Sequence, residues 1–368
     1  MIDALYIKNF KSIRSVNLEL SGMNLLFGMN GMGKSSTIQS LLLCRQSFWK
    51  NGETNLDKLY PNGALVNLGS TSEVFNKKAE DDLLEIIIEE NGVEQNLSYL
   101  YRSDISDYGV VFNKTDESNF NDFTGCLFSD GFVYLTAEHI GPRRKYEYSS
   151  WETSGINKFG TKGEYTIPFL ATNGTKITVP KEVCHPQALS DKLIDQCSAW
   201  MSCISPGVRL NAEMSPQDQE ARLRISYNEK GIVSDDYSPV NVGFGIPYVL
   251  PVIVALLSAK KGDLVIIENP ESHLHPRGQA YLSELMSHAV ASGVQIICES
   301  HSDHVINGVR VAVKEHVINK ENVAIFYYNK NENQDTVCSS INIDAAGNLD
   351  SYPDGLLDEW GELMSRLI

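Results

Sequence analysis

An eight-residue segment near the start of the chain constrains its fold more than any other feature. Residues 28–35 follow the pattern Gly-x-x-x-x-Gly-Lys-Ser and come after the apolar run Leu25-Leu26-Phe27. After Gly33 the apolar residues recur with helical spacing. A strand, a glycine-rich turn and a helix in this order form a phosphate-binding loop, because the amides of the turn and the start of the helix both favour an anion. The segment therefore predicts an α/β fold with a phosphate site.

Each type of residue in this loop has a chemical role. Lys34 can reach the β- and γ-phosphates of a nucleotide, and the Ser35 hydroxyl can ligate Mg²⁺. The other predicted nucleotide-binding positions of the loop are Asn30, Gly31, Gly33 and Ser36. An ordinary glycine turn is the alternative interpretation, but it would not account for the strand before the loop and the helix after it.

Two carboxylates follow the apolar run Leu264–Ile267, which is typical of a strand buried on both faces. At the end of such a strand, Glu268 or Glu271 can hold Mg²⁺ while the other orients or deprotonates the attacking water. The alternative is a cluster of capping acids, because a helix is predicted to begin near Pro276. His301 follows another apolar strand; it can contact a γ-phosphate or be an ordinary turn histidine.

The charge balance limits the partners that the surface can bind. The chain of 368 residues carries 31 Lys and Arg against 47 Asp and Glu, a formal net charge of −16. Such a surface repels a phosphate backbone over most of its area, so nucleic acid could bind only at a local basic patch. The densest basic cluster is Arg143-Arg144-Lys145. It can face phosphates or a partner, or it can be an ordinary solvated surface.

Cysteine usage and hydropathy indicate where the chain is expected to work. Seven cysteines occur without a Cys-x-x-Cys pair, which favours reduced thiols and gives no zinc pattern. The first residues lack the basic and apolar regions of a signal peptide. The longest apolar stretch, Tyr248 to Ala259, is shorter than the roughly 18 residues that a membrane helix needs. We therefore expect a cytoplasmic protein that does not enter a membrane.

Three segments differ in pattern along the chain. Residues 1–102 are predicted as a mostly β lobe with the phosphate loop and a hairpin that turns at Asn91-Gly92. Residues 103–186 are rich in Asp, Asn, Ser and Gly with weak periodicity, which is typical of an insertion of loops and short elements. Residues 187–368 are predicted as an α/β lobe, with a helix from about Gln187 and later alternating strands and helices.

Taken in order, several motifs resemble those of the ABC-type ATPase heads of the RecF, SMC and OLD group, especially compact heads of bacterial anti-phage defence operons. Besides the phosphate loop, or Walker A motif, they are the Asn9-Phe10-Lys11-Ser12 turn, a signature motif at residues 241–245, the Walker B acid Glu268, a D-loop at residues 273–276 and the switch histidine His301. The resemblance implies a P-loop NTPase head of ABC-ATPase type, with a β-rich N-terminal lobe and an α/β C-terminal lobe.

The resemblance also implies that a second copy of the chain completes the site. In this group two heads pair head-to-tail, so Gly243 and Gly245 of one subunit would cover the γ-phosphate held by Lys34 of the other, and Lys11 would lie near the nucleotide. ATP and Mg²⁺ are the implied cofactors. The alternative role of the Gly-Phe-Gly segment is the cap of a core helix.

Two departures from the group bear on the chemistry. Pro247-Tyr248 stand where many relatives carry Ser-Gln, which leaves backbone contacts to a phosphate but removes the signature hydroxyl. Asn269 occupies the position of the group's catalytic glutamate, directly after the implied Mg²⁺ ligand Glu268. Glu271 is the nearest replacement base, and His301 completes the set of implied catalytic residues. We therefore expect slow hydrolysis.

The resemblance implies an ATPase that dimerises around nucleotide and regulates a separately encoded effector, a nuclease or toxin, in anti-phage defence. No coiled coil separates the motifs and no nuclease domain has room after the last of them, so the destructive activity is expected in another chain. Two other functions stay open. One is a DNA-repair or recombination ATPase, which the net charge of −16 disfavours. The other is a non-catalytic, ATP-gated scaffold, which Asn269 and Pro247 suggest.

Overall fold

Strands make up much of the fold. The computed structural model of the protein describes residues 1–50, 52, 56–101, 112–114, 125–147, 155–215, 217, 219–229 and 231–367. In chain order the strands are β1 (Ile2–Phe10), β2 (Ile13–Glu19), β3 (Met23–Gly28), β4 (Lys58–Leu59), β5 (Leu83–Glu90), β6 (Val93–Leu100), β7 (Phe112–Lys114), β8 (Val133–Leu135), β9 (Tyr146–Glu147), β10 (Val208–Ser215), β11 (Glu220–Glu229), β12 (Ile232–Val233), β13 (Leu264–Glu268), β14 (Gln295–Glu299), β15 (Val323–Lys330) and β16 (Thr336–Ile341).

The helices alternate with strands chiefly in the second half of the chain. They are α1 (Lys34–Lys50), α2 (Thr71–Val74), α3 (Thr166–Asn173), α4 (Leu193–Ile204), α5 (Gly245–Ser258), α6 (Pro276–Ala291), α7 (Asp303–Lys314) and α8 (Glu359–Leu367). The apolar helix α5 is buried along nearly its whole length. Among the described residues, none of these helices combines the length and the hydropathy that crossing a membrane requires.

The chain divides into two compact units. The first comprises Met1–Ser129, Val323–Asn342 and Leu349–Ile368, and the second comprises Asp130–Asn322 and Ile343–Asn348. The first unit therefore contains the phosphate loop, whereas the second contains the signature segment, the Walker B strand and the switch histidine. The expectation of three segments, divided after residues 102 and 186, stays a prediction.

The first unit is built on an antiparallel sheet with strand order β2-β1-β5-β6-β7-β4. Along β1 and β5 buried residues alternate with less buried ones, because one face of the sheet packs on the core. Strands β5 and β6 form the predicted hairpin, and Asn91 and Gly92 both have positive φ, at 54° and 73°. Such a turn matches the twist of the two strands, so the hairpin prediction is confirmed.

A second set of strands in the first unit carries the phosphate loop. The buried strand β3 pairs in parallel with β15, and β15 pairs antiparallel with β16. Gly28, the last residue of β3, is the register partner of Tyr328. The loop leads from there directly into α1, which confirms the predicted order of strand, glycine turn and helix.

The second unit contains parallel strands and the helices that connect them. Strand β13 pairs in parallel with β8 on one side and with β14 on the other, and α6 and α7 follow β13 and β14. A separate antiparallel group joins β9, β10 and β12 to β11. The prediction of an α/β pattern from residue 264 onwards is confirmed for these elements.

One predicted boundary is wrong. The helix expected from about Gln187 begins at Leu193, and Leu189 is 74% exposed. The residues just before α4 are extended, because Asp191 O accepts the Val179 N–H and Lys192 bridges to Thr178. Of the predicted insertion at 103–186, residues 103–111, 115–124 and 148–154 lie outside the described part of the chain, and the rest holds short elements as expected.

Candidate functional site

The phosphate loop adopts a backbone that its glycines make possible. Gly33 has a φ of +114°, a conformation that residues with a Cβ rarely adopt. A Cβ at this position would lie 2.6 Å from Cγ2 of Thr336, which is buried on β16. The last glycine of the motif is therefore required both by the backbone and by its neighbour.

Lys34 is fixed at the base of this loop. Its side chain is only 3% exposed, and Nζ donates hydrogen bonds to Gly28 O at 2.7 Å and to Met29 O at 3.0 Å. By contrast, the apex of the loop at Asn30 and Gly31 is exposed. The loop thus combines a held cation with backbone that a ligand can reach, which suits a phosphate group.

The remaining hydroxyls of the loop stand at the start of α1. Ser35 is half-buried and Ser36 is buried, both in the first turn. Thr37 Oγ1 lies 2.9 Å from the Tyr328 hydroxyl of β15. These contacts hold the N-terminus of α1, where the helix dipole favours an anion.

The turn between β1 and β2 contacts helix α1 and strand β16. Lys11 has a positive φ of 51°, and its Nζ donates to Gln39 Oε1 of α1 at 2.7 Å. Burial lowers the pKa of Lys11, which the charge of Glu73 partly opposes. Ser12 Oγ accepts a hydrogen bond from Thr336 Oγ1 at 3.1 Å, and Thr336 is the residue that closes on Gly33. The structure therefore brings Lys11 to the same helix as Lys34.

Two acidic side chains end neighbouring parallel strands in the second unit. Glu268 and Glu299 are register partners at the carboxyl ends of β13 and β14. The Tyr134 hydroxyl on β8 donates to Glu268 Oε1 at 3.0 Å. Burial, with a smaller contribution from the charge of Glu299, raises the pKa of Glu268 to about 7, and the hydrogen bond from Tyr134 partly opposes this shift. A divalent cation would offset both the burial and the repulsion.

Glu271 lies in the turn after β13 and contacts the turn after β14. Its Oε1 accepts a hydrogen bond from the His301 N–H at 2.9 Å, and the residue is only 8% exposed. Burial raises the pKa of Glu271, and the His301 amide partly offsets the increase. His301 itself is exposed. Two of the predicted catalytic residues are therefore neighbours.

The glycines of the signature segment have different surroundings. A Cβ on Gly245 would lie 2.7 Å from His273 O, so this close approach to the D-loop requires glycine. Around Gly243, apart from its chain neighbours, no heavy atom of the described residues lies within 4 Å of the same position. Between them, the Phe244 ring lies 4.8 Å from the His273 ring. The start of α5 is thus anchored on the D-loop while Gly243 stays open.

Comparison with known proteins finds matching family models, a sequence relative and a similar fold. Residues 1–182 match a family described as "AAA ATPase domain", and residues 227–307 match one described as "AAA domain, putative AbiEii toxin, Type IV TA system". The chain is 32% identical over 252 residues to a DNA replication and repair protein RecF of Clostridioides difficile (strain 630). The matched region covers 64% of this chain and 62% of that protein. A solved SMC head, bound to the C-winged helix domain of ScpA, has a TM-score of 0.52 at 13% identity, covering 93% of this chain and 98% of that one.

These matches and the fold support a RecF/SMC-like ABC-type ATPase head. Residues 318–367 of this head also match a family described as "Protein of unknown function (DUF3696)". That match includes residues 344–347 and 352–358, which in sequence resemble a short C-terminal module of an uncharacterised branch of these ATPases.

The predicted site residues of this ATPase head fall into two groups. The first unit holds Lys11, Asn30, Gly31, Gly33, Lys34, Ser35 and Ser36, and the second holds Gly243, Gly245, Glu268, Glu271 and His301. In the first unit, Lys34 lies at the base of the loop and Lys11 contacts α1. In the second unit, Glu271 contacts His301, and Gly245 closely approaches the D-loop. The roles of these residues stay predictions.

Some residues that contact these two groups were not identified from the sequence alone. Glu299 ends the apolar run of β14 as Glu268 ends that of β13, and this shared pattern could have identified it. Tyr134 carries no such signal, because its contact with Glu268 spans more than a hundred residues of sequence. Thr336 likewise becomes relevant only through the pairing of β15 and β16.

Proposed function

We propose that this ATPase head binds ATP together with Mg²⁺ and hydrolyses it slowly. The phosphate loop supports the proposal most directly, because Lys34 is held by the carbonyls of Gly28 and Met29 beside an exposed apex. The fixed positive charge of Lys34 and the N-terminus of α1, where the helix dipole favours negative charge, suit an anion with several charges, such as a triphosphate.

Two residues offer ligands that suit Mg²⁺. Ser35 supplies a hydroxyl in the first turn of α1 and Glu268 supplies a carboxylate, and such hard oxygen ligands are those that Mg²⁺ takes beside phosphates and waters. The raised pKa of Glu268 fits this role, because a nearby cation favours the charged carboxylate. When bound, the ion would neutralise negative charge on the phosphates.

Glu271 is the proposed general base. The hydrogen bond from the His301 amide fixes its carboxyl group, and burial raises its pKa, which improves proton acceptance near neutral pH. His301 is the proposed contact to the γ-phosphate. Asn269 stands directly after Glu268 and cannot accept a proton as a glutamate does, so we infer that turnover is slow.

We further propose that two copies pair head-to-tail around ATP. The space beside Gly243 and the N-terminal amides of α5 would suit the γ-phosphate bound to a second copy. The pair would control a separately encoded nuclease or toxin in anti-phage defence, which the toxin–antitoxin wording of the family matched by residues 227–307 supports. The seven cysteines are free, which fits a cytoplasmic location.

DNA repair or recombination is a second candidate function. The 32% identity to a protein named for DNA replication and repair favours it. Arg143 and Arg144 are exposed, while Lys145 is paired with Glu220, so the basic cluster offers at least two cations to a phosphate backbone. Salt-sensitive DNA binding that Arg143→Glu with Arg144→Glu abolishes would favour this candidate over the first.

Phosphate release from ATP tests the proposed activity. Slow Mg²⁺-dependent turnover is expected from the wild type, with turnover lost in Lys34→Ala because the loop loses its cation, and lost in Glu271→Gln because the base is removed. Lys320→Ala is the matched control, because this exposed lysine is distant in sequence from both Lys34 and Glu271. Equal turnover in the wild type and Lys34→Ala would overturn the site assignment.

A further inference from the structure

A short segment of the second unit contacts the Walker B acid. It comprises residues 134–141, which begin on β8 and continue past its end. The Tyr134 hydroxyl donates to Glu268 Oε1 at 3.0 Å, and a backbone hydrogen bond from Ala137 also stabilises the Glu268 carboxylate. The position of Glu268 therefore depends on this segment as well as on its own strand.

The same segment also contacts the first turn of α5. The Tyr248 hydroxyl donates to Ala137 O, and the Tyr248 ring lies 4.7 Å from the His139 ring. His139 Nδ1 lies 2.9 Å from Tyr248 O. A carbonyl oxygen can only accept, so Nδ1 carries the proton and donates it. Tyr248 is thus held at its hydroxyl, its ring and its backbone.

His139 is a buried residue with one unsatisfied nitrogen. It is 4% exposed, and its Nε2 has no hydrogen-bond partner among the described residues. Burial lowers its pKa to about 4, so the ring is neutral under ordinary conditions and Nδ1 donates steadily to Tyr248. An unsatisfied buried acceptor costs stability, which is typical of positions kept for a purpose other than packing.

We propose that Tyr248 and His139 are positioning residues that couple the signature helix α5 to Glu268 through Ala137. The proposal rests on the proposed function, because it assigns Glu268 to Mg²⁺ and Gly243 to a nucleotide. A ligand at the start of α5 shifts Tyr248, and the hydrogen bond to Ala137 carries that shift to the carboxylate. Occupation of the signature segment is thereby sensed at the metal ligand of the same chain.

The position of Tyr248 in the sequence is consistent with this role. Tyr248 stands three residues after Gly245, the last residue of the signature segment, in the first turn of α5. In this chain the tyrosine is buried and its hydroxyl is used within the subunit, so it is committed to Ala137.

Tyr248→Phe tests the coupling, because it removes the hydroxyl and keeps the ring. The first readout is the affinity for Mn²⁺, measured by electron paramagnetic resonance with a non-hydrolysable ATP analogue bound. We expect the Mn²⁺ affinity to fall by about fivefold, the factor that one neutral hydrogen bond is worth, while the affinity for the analogue without metal stays unchanged. Tyr281→Phe is the matched control and should equal the wild type, because the half-buried Tyr281 on α6 accepts its hydrogen bond from Arg277.

Variants of His139 separate positioning from packing. Asn can place an N–H near the position of Nδ1, whereas Leu cannot donate, so His139→Asn should keep the Mn²⁺ affinity that His139→Leu loses. Equal Mn²⁺ affinity in the wild type, Tyr248→Phe and His139→Leu would overturn the coupling, whatever the turnover. If the wild type does not hydrolyse ATP but Tyr248→Phe weakens Mn²⁺ binding, the proposed hydrolysis fails and the coupling stands.

Discussion

Replacing Gly33 by Ala should separate the two demands that the phosphate loop makes on glycine. At a φ of +114° a residue with a Cβ is strained by about 1–3 kcal/mol. The new Cβ would also lie 2.6 Å from Cγ2 and 2.8 Å from Oγ1 of the buried Thr336, and such overpacking costs about 1–3 kcal/mol. Together these give a loss of about 2–6 kcal/mol in the free energy of unfolding of the first unit.

Gly31→Ala is the matched control for this change. Gly31 also has a positive φ, at +77°, but no described heavy atom lies within 4 Å of its Cβ position, apart from its chain neighbours. It should therefore lose only about 1 kcal/mol, from backbone strain.

Urea unfolding, followed by circular dichroism, measures both losses from the midpoint and slope. The ATP affinity of Gly33→Ala should fall with its stability, because Lys34 directly follows the strained residue. Equal destabilisation of the two variants, or a Gly33→Ala protein as stable as the wild type, would refute the packing of Thr336 on the loop.

Three further predictions concern single side chains. The pKa of His139 is 6.5 in the unfolded chain and about 4 in the fold. The free energy of unfolding should therefore fall by up to about 1.4 kcal/mol per pH unit as the pH falls from 6.5 to 4. Urea titrations at pH 7 and 5 should show this dependence in the wild type and not in His139→Asn. Glu268→Gln removes a buried carboxyl group whose pKa is raised to about 7. At pH 8 the free energy of unfolding of this variant should therefore be about 1–3 kcal/mol higher than that of the wild type, yet the variant should need about tenfold more Mg²⁺ for turnover. Lys11→Ala should weaken ATP binding in a fluorescent-nucleotide titration by about tenfold, the value of one charge-assisted hydrogen bond, and unchanged affinity would remove Lys11 from the site.

The sequence predicts local structure well where one segment carries all the information. The phosphate loop, the hairpin at Asn91-Gly92 and the helix from Pro276 each follow from residues a few positions apart, and the structure has all three. The predicted start of α4 was wrong because the Asp191 carbonyl accepts a hydrogen bond from the Val179 N–H, which keeps the residues before α4 extended. Helical periodicity within the segment does not reveal this contact.

Contacts between distant segments could not be predicted in the same way. The hydrogen bonds of Glu268 with Tyr134 and of Glu271 with His301 depend on which strands lie side by side. Likewise, β15 and β16 follow the switch histidine in the sequence, but β15 pairs with the strand of the phosphate loop. Because β16 pairs with β15, Thr336 meets Gly33. Strand order is a property of the whole fold, so one sequence leaves it open.

Equilibrium binding of ATP to the phosphate loop is the most direct test of the proposed activity. In the presence of Mg²⁺, the Glu271→Gln protein should bind ATP without consuming it, because the base is absent while Lys34 remains. Adding Lys34→Ala to this variant should weaken binding by about a hundredfold, since the loop loses its buried cation. Equal ATP affinity in the two proteins, or no binding to either, would contradict the assignment of residues 28–35 as the nucleotide site.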